Sequence, residues 1–192
     1  MYIKKISLSL LVLFVTACTG TPEGITPIKS VDANQYLGSW YEIARLDHSF
    51  ERGLSQVTAT YSLREDGGIK VVNRGFNSED KEWKEAIGKA YFIDPPNADK
   101  TNTGRLKVSF FGPFYGGYNI IELDQPYYNY VMICGPNKSY LWILSRTPQL
   151  AYPIKQQLVA KAKELGFETD KLIYVKQMGD TTDYSAGQHV TQ

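Results

Sequence analysis

The chain has 192 residues, 43% apolar, 13% aromatic and 21% charged, which suits one globular domain with one sizeable core. Its 21 basic and 20 acidic residues leave a formal net charge of +1. That balance lacks the basic excess of a nucleic-acid binder and the polarity of a disordered chain. Fourteen Tyr, eight Phe and three Trp favour β structure, while two Cys and two His leave little material for a metal site or a disulfide scaffold.

At the N-terminus Lys4 and Lys5 precede the apolar run Ile6 to Val15. This run is shorter than the about 20 residues that span a bilayer and has the length of a signal-peptide core. Thr16 and Ala17 are small, and Cys18 follows. Val15-Thr16-Ala17-Cys18 resembles the lipobox of bacterial lipoproteins, in which the thiol is acylated and the chain is cut before the cysteine. An ordinary secretory signal with an incidental cysteine is the alternative. The resemblance implies removal of residues 1–17 and a membrane partner reached through a lipid anchor on Cys18. Thr19 stands where an Asp commonly retains such proteins at the inner membrane, so the implied location is the bacterial outer membrane, with the domain facing the periplasm. An acylated Cys18 leaves Cys134 without a disulfide partner.

Residues 18–31 are rich in Thr, Pro, Gly and Ser without periodicity and read as a flexible tether. A domain over 32–178 follows, with short segments of strand character separated by turn signals. Eight strands are expected, at Trp40 to Leu46, Gln56 to Leu63, Ile69 to Phe76, Ala86 to Ile93, Arg105 to Phe111, Tyr118 to Leu123, Tyr128 to Cys134 and Tyr140 to Ser145. The second alternates most clearly, and Asp66-Gly67-Gly68 turns it tightly into the third. Short connections make an antiparallel up-and-down arrangement the economical topology.

One helix breaks the pattern. Pro153 suits its first turn, Ile154, Leu158, Ala162 and Leu165 recur on one face, and Gly166 suits its end. Such a helix must lie on the outside of a barrel. Leu172 to Lys176 reads as a short last strand, and residues 179–192 as a polar, flexible tail.

Gly38-Ser39-Trp40-Tyr41 near the start of the domain and Leu144-Ser145-Arg146-Thr147 after the eighth strand resemble the first and third conserved regions of the lipocalins. The order of elements between them agrees, and the likeness is greatest to bacterial outer-membrane lipocalins and their apolipoprotein D-like relatives, over about Asp32 to Gln177. Asp124-Gln125-Pro126-Tyr127-Tyr128 departs from the middle motif, with Gln where the family often has Tyr, and Pro126 would interrupt a ladder. The resemblance implies an all-β, eight-stranded antiparallel calyx with one outer helix. Gly38, Trp40 and Arg146 then form a structural plug, the guanidinium lying on the indole for roughly 0.5–2 kcal/mol.

An eight-stranded barrel either fills its interior or holds one small ligand, and the lipocalin resemblance implies the second. Alternation puts Val57, Ala59 and Tyr61 on one face, with Val108 and Phe110, Tyr118 and Ile120, and Trp142 and Leu144 as the matching inward residues. The expected partners are hydrophobic small molecules, fatty acids or lysophospholipids, bound, stored or transported for maintenance of the cell envelope. No cofactor and no nucleic acid is expected. Phe111 to Gly117 is either an exposed apolar contact for membrane, ligand tail or a second subunit in a homodimer, or a plain hairpin turn. Two alternatives stand beside the carrier. One is an envelope-docking module with an incidental cavity. The other is an enzyme using Cys134, which has no histidine near it in sequence to activate it. His48 likewise lacks a second haem ligand or motif.

Overall fold

The computed structural model describes residues 19–179. Cys18, residues 1–17 and nearly all of the 179–192 tail therefore lie outside the described residues. After a short helix α1 (Ala33–Tyr36), the chain forms β1 (Gly38–Arg45), β2 (Leu54–Leu63), β3 (Ile69–Asn77), β4 (Glu82–Phe92), β5 (Arg105–Phe111), β6 (Phe114–Leu123), β7 (Tyr130–Cys134) and β8 (Leu141–Ser145). Helix α2 (Tyr152–Glu164), a 3-10 turn (Thr169–Lys171) and β9 (Ile173–Tyr174) complete it. All strand pairs are antiparallel in chain order, and β1 pairs with both β8 and β2, which closes an eight-stranded barrel among the described residues. β9 adds to the β1 edge through Ala44 and Arg45.

The strand directions define two ends. The connections β1–β2, β3–β4, β5–β6 and β7–β8 surround a mouth, while β2–β3, β4–β5, β6–β7 and α1 lie at a floor. Alternation sorts the apolar side chains into two layers. Tyr61, Ile69, Val71, Ala90, Leu106, Ile133 and Leu144 face inward around Trp40. Ile43, Ala44, Ile121, Met132, Cys134, Leu141 and Ile143 face outward and are covered by Leu158 and Ala162 of α2.

The helix carries the expected stripe, although Leu158 and Ala162 alone on it are fully buried, with Ile154 and Leu165 packed at its edges. It ends in a Schellman motif: Phe167 N–H donates to the Ala162 carbonyl, Gly166 N–H to that of Lys163, and Gly166 takes φ +84°.

Several boundaries differ from expectation. β4 starts four residues early, at Glu82, because the backbone keeps pairing with β3 at the rim, where both faces are wet and no apolar alternation is needed. β6 likewise starts at Phe114, paired with Phe111 across Gly112 and Pro113, so the Phe111 to Gly117 stretch is a hairpin turn with exposed phenylalanines. Pro126 falls in the connection before β7, which begins at Tyr130 rather than Tyr128, so the proline meets no ladder.

The largest correction concerns residues 19–31, expected as a flexible tether. They form an ordered strap along the outside of the barrel. Val31 exchanges backbone hydrogen bonds with Asn102, Ile28 N–H donates to the Ile120 carbonyl, and Gly104 N–H donates to that of Ile28. Ile25 and Val31 are buried. Asn119 on β6 accepts from Thr21 Oγ1 at 2.9 Å and donates to the Gly20 and Gly135 carbonyls. Irregular backbone of this kind is satisfied by scattered partners, so no periodicity marks it in the sequence.

Candidate functional site: a calyx with a closed floor

The floor is built on a single tryptophan. Trp40 is fully buried at the start of β1, its Nε1–H donating to the Tyr36 carbonyl at 2.9 Å. The Arg146 guanidinium carbon stands 3.8 Å from the centre of the indole ring. Its three nitrogens donate to the carbonyls of Tyr128, Ser39 and Gln35, tying the end of β8 to the β6–β7 connection, β1 and α1. Gly38 is required twice over: φ is +93°, and an added Cβ would lie 3.3 Å from an Arg146 nitrogen. Asp32 N–H donates to the Tyr128 hydroxyl and closes the last gap.

Above the indole sits a chain of three tyrosines. The Tyr118 hydroxyl bonds to that of Tyr36 at 2.6 Å and to that of Tyr61 at 2.9 Å. Burial pushes all three phenols above their ordinary range, Tyr61 to about 12, so they remain neutral hydrogen-bonding groups.

The space above them is a cavity of about 740 Å³. Val57, Ala59 and Tyr61, Val108 and Phe110, Tyr118, and Trp142 and Leu144 all line it, as alternation places them. Ile120 does not. It has the inward parity, but it lies deeper, fully buried in the floor cluster beneath the Ile28–Gly104 crossing. Ile69, Val71, Ala90, Leu106 and Ile133 complete the apolar wall.

One polar cluster in this wall was not foreseen. Glu42 shares the inward parity of Trp40, two residues before it, which was a legible signal. A bulge between Glu42 and Ala44 then turns Arg45 inward as well, where its Nη1 meets Glu42 Oε1 at 2.7 Å, both side chains buried. Glu51 reaches in from the β1–β2 connection and accepts from Trp142 Nε1 at 3.0 Å, while its own carbonyl accepts from Arg45 Nη2. One guanidinium thus faces two carboxylates. Burial, helped by the charge of Glu51 and opposed by Arg45, lifts Glu42 to about 8; burial also raises Glu51. Both glutamates line the cavity, as does Asn73, whose buried Oδ1 accepts no hydrogen bond from the protein. A lumen of this kind offers a guest an acceptor at Asn73 and, below about pH 8, a protonated carboxyl at Glu42.

Cys134 lies on the other side of the wall, fully buried in the layer beneath α2. Burial pushes its thiol up to about 12, the reverse of an activated nucleophile. His48 stacks on Tyr140 at 4.4 Å, and burial lowers its pKa. Among the described residues no group of three or more His, Cys, Asp or Glu is placed to hold a metal ion.

A closed barrel with one plugged end, an apolar lumen and an outer helix defines a small-molecule binding protein of the calyx type. A family model for the lipocalin-like domain matches residues 31–177, and the chain belongs to the lipocalin family. It is 56% identical over 167 residues to the outer membrane lipoprotein Blc of Citrobacter freundii, covering 86% of this chain and 91% of that one. Against the outer membrane lipoprotein Blc of Vibrio cholerae it is 53% identical over 174 residues, covering 91% and 99%. Insecticyanin of the tobacco hornworm Manduca sexta shares the fold at a TM-score of 0.64 and 21% identity, covering 86% of this chain and 91% of that structure.

Proposed function

We propose that the protein is an outer-membrane lipoprotein, anchored through an acylated Cys18, that carries single-chain lipids such as fatty acids or lysophospholipids in its calyx. The observation that carries the reading is the cavity itself. Its volume of about 740 Å³ falls within the about 300–1,000 Å³ of small-molecule sites, and its wall is mostly apolar, the exceptions being the Glu42–Glu51 corner, Asn73, the tyrosine hydroxyls and Thr58, Arg74, Lys84 and Glu85 on β2 to β4. A guest must therefore be mostly hydrocarbon. Each methylene moved from water into such a wall contributes about 0.8 kcal/mol, so a long chain gains enough to offset the ordering of both partners. The closed floor sends the chain downward and leaves the polar head towards the mouth. The likeness to outer membrane lipoproteins and the Val15-Thr16-Ala17-Cys18 sequence support the anchor and its location.

The test is a titration of the soluble domain with saturated acids from decanoic to stearic, each below its micelle concentration, read by Trp142 fluorescence. Affinity should rise with each added methylene until the calyx is full. Affinity independent of chain length would leave the cavity incidental and favour envelope docking. For the anchor, Cys18→Ser should abolish detergent-phase partition of the expressed lipoprotein; unchanged partition would remove Cys18 from the account.

A further inference from the structure

The strap does more than cover the barrel, because it fixes the end from which the anchor leaves. From Val31 at the floor it climbs the outer face of β6 towards the mouth, and Gly20 finishes beside Gly117 and Pro136. A Cβ added to Gly117 would lie 2.7 Å from the Gly20 carbonyl oxygen and 3.3 Å from the carbonyl carbon of Thr19. Gly117 and Pro136 both line the cavity, Pro136 in the β7–β8 turn at its rim. Cys18 directly precedes Thr19 in the sequence. Acyl chains carried by Cys18 would therefore leave from the open end.

The same end presents aromatic side chains to water. Phe111 and Phe114 are cross-strand partners at the β5–β6 tip, 82% and 63% exposed, and Phe114 is on the strand that carries Gly117. Phe50, on the β1–β2 connection, is 62% exposed. The β3–β4 tip is different: Glu79, Asp80, Glu82 and Glu85 are exposed there with Lys81 and Lys84, an acidic balance that anionic lipids would repel.

We propose that the mouth rests on the membrane that receives the anchor, with Phe111 and Phe114 sunk among its lipids, Phe50 beside them and the acidic β3–β4 tip tilted away. Ligand then passes between bilayer and cavity without crossing bulk water. The proposal rests on the acylation of Cys18. Two independent features select the same end: the point where the strap finishes and the place where the three exposed phenylalanines of the described residues, Phe50, Phe111 and Phe114, are gathered. A lipid surface is the occupant because the anchor commits that end to one.

The experiment uses the full lipoprotein reconstituted into vesicles of phosphatidylethanolamine and phosphatidylglycerol in equal parts. A fluorophore is attached through Gly112→Cys at the β5–β6 tip, where an added Cβ meets nothing within 4 Å, or through Glu65→Cys in the exposed β2–β3 turn at the floor. Aqueous iodide should quench the Gly112→Cys label several-fold less than the floor label, and nitroxide-bearing acyl chains should quench it more. Adding Phe111→Ser and Phe114→Ser to the labelled chain should return iodide access towards the floor value while the protein still floats with the vesicles. Protein that floats but shows equal iodide access at both labels overturns the docking and leaves the anchor standing. Protein that does not float overturns both. Protection that persists in detergent without vesicles and grows with protein concentration assigns the surface to a second copy and also overturns it.

Discussion

The guanidinium of Arg146 lies 3.8 Å over the indole of Trp40 while its nitrogens bind carbonyls of α1, β1 and the β6–β7 connection, so one side chain both covers the plug and ties its frame. Trp40→Ala should destabilise the domain by about 3–5 kcal/mol, the range for large aromatic truncations in cores. Arg146→Ala should cost less by itself but couple to Trp40 by about 0.5–2 kcal/mol in a double-mutant cycle read by urea unfolding. Gly38→Ala should cost about 1–3 kcal/mol, since the new Cβ meets both an unfavourable φ and the Arg146 nitrogen. Strictly additive effects of the Trp40 and Arg146 changes would contradict the contact.

This plug was legible because its chemistry is local in type: a Gly-x-Trp at a strand start and an arginine after the last barrel strand. The cavity wall was legible for a different reason. Strand period alone puts Val57, Ala59 and Tyr61 on one side, and closure of the sheet makes that side the lumen. Ile120 shows where period stops informing, since parity says inward but not how deep. Arg45 is beyond period altogether, turned inward by a bulge, and Glu51 arrives from a connection whose path depends on the finished barrel. The strap was illegible because its order comes from partners about a hundred residues away, Asn119 above all.

That dependence makes Asn119 a test of the strap. Asn119→Ala would leave the Gly20 and Gly135 carbonyls without their donor and Thr21 Oγ1 without its acceptor. The expected cost is about 1–3 kcal/mol, the penalty for orphaned buried polar groups. Amide exchange at Ile25 and Ile28 should speed up while that of the β2–β3 ladder stays slow. Exchange already fast at those amides in the wild type would mean that residues 19–31 are not held as described.

The Glu42–Arg45–Glu51 corner makes stability depend on pH in a definite direction. Glu42 titrates near 8 in the folded barrel and near its ordinary value of about 4.5 when unfolded. Between those values the folded state holds a proton that the unfolded state has released, so stability falls as pH rises through that window. The lowered pKa of His48 acts the other way, so the difference between wild type and Glu42→Gln isolates the carboxyl. Wild type should lose Tm between about pH 5 and about pH 8, and Glu42→Gln, which keeps the shape of the protonated acid, should lose less. Arg45→Met should be strongly destabilising at the upper end, by about 3–5 kcal/mol, because it strands buried carboxylates. Parallel Tm profiles for wild type and Glu42→Gln would show that Glu42 titrates normally.

The decisive prediction for function is occupancy of the lumen. Ala59 on β2 and Val108 on β5 are small residues in the cavity wall, so Ala59→Trp or Val108→Trp places an indole where the guest's chain would run. Each should weaken binding of a long-chain acid by roughly tenfold or more, about 1.4 kcal/mol per decade, while unfolding stays cooperative. Lys163→Ala, on the exposed face of α2, should change neither. Binding of a fatty acid should also strengthen as pH falls from about 8 to about 5, because protonation of Glu42 removes a negative charge that an entering carboxylate would meet. Fluorescence titration of wild type and variants at the two pH values measures both effects. Variants that bind as well as wild type would put the guest outside the calyx, and a pH dependence of opposite sign would put its head group away from the glutamate corner.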